Sequence, residues 1–246
     1  MQLFKSLLFT TYMMASACVF GTVMALGFWL PYNAQFAIAR CWARIVLWVL
    51  EHFCGLKYVV EGREHIPPGN HIVMSNHTSA WETIAQFLIF PPQVWVLKRE
   101  LLWIPFVGWG LKMLKPIAIN RGERHRAVNQ VIEQGKERLA AGLWIIIFPE
   151  GTRVLAGQTR KYGLSGALLA IASGQCVVPL AHNAGTFWPR RGFMKKPGTI
   201  RVVIGAPILP VGQDPRELNE RVRQSIDAGL ARIAMSSSTA DTGDAR

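Results

Sequence analysis

The chain has 246 residues, half of them apolar and only 17 % charged, with 27 Lys and Arg against 15 Asp and Glu for a net charge of +12. That apolar content excludes an intrinsically disordered chain, four Cys in this length exclude a disulfide scaffold, and the length suits one α/β domain with an appendage. A basic, apolar, Trp-rich chain with sparse charge leaves two kinds of partner, nucleic acid or an anionic membrane.

No charged residue occurs between Lys5 and Arg40. Residues 7–30 read as one apolar helix; at 1.5 Å per residue it reaches ~36 Å, longer than the ~30 Å hydrocarbon core of a bilayer. A signal peptide is the competing reading, with a small-residue cleavage site at Ala15-Ser16-Ala17, but cleavage there would leave a start still apolar through Leu30. A retained transmembrane helix is therefore expected. Pro31 ends it, and residues 36–53 form a second, more polar helix with Ile38, Trp42, Ile45, Val46 and Val49 recurring at three and four. Residues 1–56 thus read as an N-terminal membrane anchor of two helices, the second amphipathic or itself membrane-embedded.

From Lys57 onward strands and helices alternate. Strands are predicted at residues 57–60, 71–75, 93–97, 117–119, 143–148, 176–180 and 200–204. Helices are clearest at 124–141 and at 215–234, the latter started by Asp214 and Pro215. Runs such as Trp144-Ile145-Ile146-Ile147-Phe148 are apolar on both faces, as in a sheet covered by helices on both sides. Residues 57–235 are therefore an α/β domain, and the small polar tail 236–246 is expected to be disordered.

Open α/β sheets place their chemistry at strand ends. The strand 71–75 runs into Asn76-His77-Thr78-Ser79-Ala80-Trp81-Glu82. A His with a carboxylate five positions later can be a general base and its orienting partner; Ser79-x-x-Glu82 equally fits a capping box for the next helix, and the two roles can coexist. The strand 143–148 ends in Pro149-Glu150-Gly151-Thr152-Arg153, either a phosphate cradle of N–H groups, hydroxyl and guanidinium or an ordinary turn. The strand 117–119 ends in Asn120-Arg121-Gly122.

Together these residues resemble the glycerolipid acyltransferases of the 1-acylglycerol-3-phosphate (lysophosphatidic acid) type. Asn76-His77-x4-Glu82 resembles the family's His-x4-Asp motif, and Phe148-Pro149-Glu150-Gly151-Thr152-Arg153 matches its FPEGTR block without a mismatch. Ile117-Ala118-Ile119-Asn120-Arg121 and Val177-Val178-Pro179-Leu180-Ala181 resemble its two other blocks, in the family's order across residues 57–205. The resemblance implies a mixed sheet flanked by helices, with His77 as general base oriented by Glu82. It assigns Arg121, Glu150, Gly151, Thr152 and Arg153 to the acceptor's glycerol phosphate. It also implies a lysophospholipid acceptor, an acyl-CoA or acyl-carrier-protein donor, no metal or other cofactor, and a bacterial inner membrane with the site on the cytoplasmic side. Another lyso-acceptor (a lyso-ornithine lipid or glycerol 3-phosphate) and a non-catalytic lysolipid-binding role are the alternatives. Glu82 stands where the family usually has Asp; its extra methylene moves the carboxylate by ~1.5 Å, and we expect the loop to compensate.

Other signals are weaker. Gly108-Trp109-Gly110 lacks the third glycine of a dinucleotide loop, and Gly163-Leu164-Ser165-Gly166-Ala167 misses the last glycine of a nucleophile elbow. His52 and Cys54 are too close and isolated for a metal site. The basic, aromatic run 187–196, with Arg190, Arg191, Lys195 and Lys196, carries no nucleic-acid motif and is expected to meet anionic lipid.

Overall fold

A strand buried on both faces needs a helical layer on each side, and the computed structural model has that arrangement. It describes residues 1–243 apart from 121, 123 and 213. Seven strands, β1 (Leu56–Glu61), β2 (Ile72–Ser75), β3 (Gln93–Lys98), β4 (Ile117–Ile119), β5 (Trp144–Ile147), β6 (Val177–His182) and β7 (Gly198–Ile204), fall on the seven predicted runs. They form one mixed sheet in the order β1-β7-β6-β2-β5-β3-β4. The strands β6, β2, β5, β3 and β4 are parallel neighbours, β7 pairs antiparallel with β6, and β1 pairs parallel with β7. The ends of β2, β5 and β4 therefore emerge along one sheet edge, which gathers the three motif-bearing loops.

The pleat divides the core in two. Val73, Ile146, Val178 and Leu180 face a layer made by α1 (Gln2–Leu26), α2 (Tyr32–Cys54) and α3 (Trp81–Ile89). Their neighbours Ile72, Met74, Ile145, Ile147 and Val177 face α5 (Arg124–Ala140), α6 (Ser165–Ser173) and α8 (Pro215–Gly243). Two short helices complete the fold, α4 (Val107–Met113) and α7 (Ala184–Phe187). Each fully buried Ile contributes about 1.5–3 kcal/mol of burial, which is why these strands tolerate no polar face.

The N-terminal helices are part of this body. α1 starts at Gln2 rather than at residue 7, because Gln2 Nε2 donates to the carbonyls of Cys54 and Lys195 at 3.0 and 2.6 Å. Ser6 Oγ accepts the Lys195 N–H at 2.9 Å, and Gln35 Nε2 donates to the Met24 carbonyl at 3.1 Å. Midway, Gly21 packs directly on the Phe106–Val107 backbone and on Gly110 of α4, where a Cβ would collide. α1 is long and apolar enough to cross a membrane, yet it is fastened to the α/β domain along its length. Its outer side leaves Leu3, Phe4, Leu7, Leu8, Val19 and Val23 exposed.

Three sequence expectations are corrected. The buried stripe of α2 runs through Phe36, Ala39, Ala43, Val46, Leu47 and Leu50, leaving Ile45 exposed, because the alanines admit close packing. Helix α8 continues to Gly243, past the expected end at residue 234, since Ala, Ser and Thr without a Pro can propagate a helix. Lys195 is buried rather than available to lipid. Its Nζ donates to Thr10 Oγ1 and to the Phe193 carbonyl at 2.8 Å, and lies 4.8 Å from the Trp188 ring centre.

Candidate active site

The loop between β2 and α3 carries the dyad. His77 Nδ1 lies 2.7 Å from Glu82 Oε1, and the same oxygen accepts the N–H groups of Thr78 at 3.1 Å and Ser79 at 3.0 Å. Glu82 is 1 % exposed. Burial pushes its carboxyl pKa up, but His182, the His77 hydrogen bond and the Ser79 N–H together hold it below the ordinary value. An ionised carboxylate is acceptor-only, so Nδ1–H donates to it, and the geometry leaves Nε2 as the ring nitrogen that can accept a proton. The capping and orienting roles coexist here. Glu82 caps the Ser79 N–H while Ser79 Oγ accepts from Trp81 N at 3.1 Å, and the longer Glu side chain reaches the imidazole at normal hydrogen-bond distance. The His77 ring stacks on Phe148 with centroids 4.0 Å apart and 15° between planes.

The turn after β5 brackets His77 from the other side. Gly151 takes φ +68 in open space, a conformation that side-chain-bearing residues rarely adopt. Its N–H bonds the Phe148 carbonyl at 3.0 Å, and the Val154 N–H bonds the His77 carbonyl at 2.8 Å. Glu150 is buried, and its Oε1 accepts the His77 N–H at 3.3 Å. Burial pushes its pKa up to about 7. Glu150 thus holds the His77 peptide from behind, the same residue that the resemblance assigns to the acceptor. Gly151 is exposed and Thr152 and Arg153 are half-buried on the open side of the same turn, where the Arg153 carbonyl accepts Arg190 Nη1 at 2.6 Å. Arg121 lies outside the described residues, although β4, which precedes it, ends on this sheet edge.

One residue escaped the sequence reading. His182, at the end of β6, is 1 % exposed. Its Nε2 bonds the Asn76 carbonyl at 2.8 Å, and the Asn76 amide clasps the His182 backbone, donating from Nδ2 and accepting on Oδ1 at 3.0 Å each. The Ala184 N–H approaches Nδ1 at 3.3 Å, which fits a neutral ring protonated at Nε2, and burial lowers the pKa of His182. The same Nε2 stands 4.0 Å from Glu82 Oε2, which has no hydrogen-bond partner among the described residues. The signal was present as a His directly after the proline-bearing strand, but only the fold shows that β6 is next to β2.

A general base with a buried orienting carboxylate, beside a turn offering N–H groups, a hydroxyl and a guanidinium, suits proton abstraction from a hydroxyl near an anionic group. The family model described as Acyltransferase matches residues 57–212. The chain belongs to this acyltransferase family. It is 42 % identical over 95 % of its length to a 1-acyl-sn-glycerol-3-phosphate acyltransferase of Pseudomonas aeruginosa, covering 93 % of that protein. It is also 26 % identical over 80 % of its length to the human 1-acyl-sn-glycerol-3-phosphate acyltransferase alpha, covering 76 % of it. The crystal structure of the 1-acyl-sn-glycerophosphate (LPA) acyltransferase PlsC from Thermotoga maritima has the same fold. Its TM-score is 0.80 at 24 % identity, covering 95 % of this acyltransferase and 96 % of that chain.

Proposed function

We propose that this acyltransferase is membrane-bound and transfers a fatty acyl group from a thioester to the sn-2 hydroxyl of 1-acylglycerol 3-phosphate, giving phosphatidic acid. The observation that carries the reading is the His77 Nδ1–Glu82 Oε1 contact of 2.7 Å, which turns Nε2 away from the carboxylate. His77 Nε2 takes the hydroxyl proton as the acceptor oxygen attacks the thioester carbon. That attack forms the new C–O bond and moves the carbonyl π pair onto its oxygen; collapse of the tetrahedral adduct restores the C=O and breaks the C–S bond, and the proton on His77 goes to the leaving thiolate. Glu82 stabilises the transient imidazolium and keeps the ring from turning. No acyl-enzyme forms. In this reading Gly151, Thr152, Arg153 and, from the β4 loop, Arg121 receive the acceptor phosphate. Glu150 acts by holding the His77 peptide. No metal or other cofactor takes part.

The acceptor is a lipid, and the exposed apolar side of α1 continues into Trp103, Ile104, Phe106 and Trp109 around α4 and into Phe193 and Met194. So large an apolar surface is supported by lipid rather than water. In a bacterial cell this is the inner membrane seen from the cytoplasm, where thioester donors are made. A merely lysolipid-binding protein has no use for a buried carboxylate that fixes an imidazole tautomer. The test is product formation from an acyl thioester with lysophosphatidate, a lyso-ornithine lipid and glycerol 3-phosphate in parallel. Preference for lysophosphatidate, with KM for it raised about tenfold or more by Arg153→Ala, is the expected outcome. Equal rates on an acceptor without phosphate would refute the phosphate assignment.

A further inference from the structure

A cavity of about 1210 Å³ lies behind the catalytic loop, on the α8 side of the sheet and hence away from α1. Asn76 and Thr78, on either side of His77, form its inner wall together with Glu150. Residues 154–162 and one face of α8 close it. Two buried side-chain oxygens line it without a hydrogen-bond partner among the described residues, Glu150 Oε2 and Asn219 Oδ1. The two residues are 6 % and 9 % exposed. Buried oxygens left unpaired are costly; Asn219 Oδ1, and Glu150 Oε2 when that carboxyl is ionised, are complementary to a ligand that carries N–H groups. An acyl chain would leave them unpaired. Arg160, Lys161 and Arg216 also line the cavity, are exposed, and make no salt bridge among the described residues, whereas Arg223 is taken up by Glu220 and Asp227. The cavity thus has unpaired acceptors beside the catalytic loop and free cations where it meets water.

We propose that this cavity receives the phosphopantetheine arm of the acyl thioester donor. The amide N–H groups of the arm meet Asn219 Oδ1 and Glu150 Oε2, and its phosphate, with any nucleotide phosphates beyond it, meets Arg160, Lys161 and Arg216. The sulfur end then lies at the Asn76–Thr78 wall, against the loop that carries His77. The division of labour follows the two media. The lipid acceptor comes from the apolar α1–α4 side, and the water-soluble carrier comes from the opposite side of the sheet. The inference rests on the acyltransferase reading above and adds to it where the donor sits.

Free coenzyme A, which has the arm and the phosphates but no acyl chain, is the probe. Titration calorimetry on the full-length protein in detergent should show saturable binding. It should weaken about tenfold or more in Asn219→Leu and in the triple variant Arg160→Ala/Lys161→Ala/Arg216→Ala, whose changes are on the surface and leave folding intact. The donor kcat/KM should fall by the same factor with KM for lysophosphatidate unchanged. Acyl-CoA and the acyl carrier protein share the arm, so Asn219→Leu should impair both. A triple-variant defect confined to acyl-CoA identifies the nucleotide as what the cations grip; a defect with both donors identifies an acidic carrier protein as well. Unaltered coenzyme A affinity and unaltered donor KM in both variants, in an enzyme that still acylates lysophosphatidate, would overturn the site and leave the function standing. Absence of any His77-dependent ester in the wild type would instead remove the function itself.

Discussion

At the residue scale, the account turns on one carboxylate oxygen that accepts three hydrogen bonds. Shortening its side chain pulls it back by ~1.5 Å, and misplacement of about 1 Å can cost ~10²-fold. We expect Glu82→Asp to lower kcat by about 10-fold to 100-fold with little change in KM, and Glu82→Gln to lower it further. Steady-state kinetics on both substrates measure this, and full activity in the Gln variant would rule out the orienting role. Glu150 predicts a pH effect. Its folded pKa, about 7, lies above its ordinary value because of burial, so its protonated form favours the native state. That contribution is complete below pH ~4.5 and is lost as pH rises through about 7. In Glu150→Gln the amide oxygen can still accept the His77 N–H, and this part of the decline vanishes. The melting temperature should therefore fall less between pH 5 and 8 than in wild type, which thermal scans across that range will show. The His77–Glu82 pair was legible in the sequence because both residues lie in one short loop. Glu150 as a support of that loop, and His182 behind it, were not, since their partners are 73 and 106 positions away.

At the scale of elements, apolar runs and breakers announced all seven strands and the two N-terminal helices. Hydropathy could not show that α1 belongs to the same packed body, because a helix apolar all round reads alike whether lipid or protein covers it. Two features decide it, the close approach of Gly21 to α4 and the burial of Lys195 under α1. Lys195→Met keeps the aliphatic stem and leaves the Phe193 carbonyl and Thr10 hydroxyl without their donor. The expected cost is about 1–3 kcal/mol, or a fall of ~2–10 °C in Tm. Hydrogen exchange should rise in residues 2–26 before it rises in the central strands. Unchanged exchange along α1 would show that Lys195 does not fasten it.

At the scale of the whole molecule, apolar excess and positive charge occupy different places. The exposed apolar residues gather along α1, around α4 and at Phe193–Met194, while Arg153, Arg160, Lys161 and Arg216 lie around the catalytic loop and the cavity behind it. Composition proposed a membrane or a nucleic acid, and only the fold separates the exposed apolar surface from the cluster of positive charge. Replacing Leu3, Leu7 and Val23 by Ser should move the protein from vesicles toward the supernatant in flotation, each buried aliphatic side chain being worth about 1.5–3 kcal/mol. Arg191→Ala with Lys196→Ala should weaken binding only to anionic vesicles, by about 1 kcal/mol per charge.

The central claim, that His77 carries out general-base acyl transfer to a lysophospholipid, is tested most directly by labelled acyl thioester and lysophosphatidate supplied to wild-type protein and to His77→Ala. The account predicts labelled phosphatidate from the wild type and a rate at least about 10²–10⁴-fold lower from the variant. No ester product from the wild type, or equal product from His77→Ala, would contradict it.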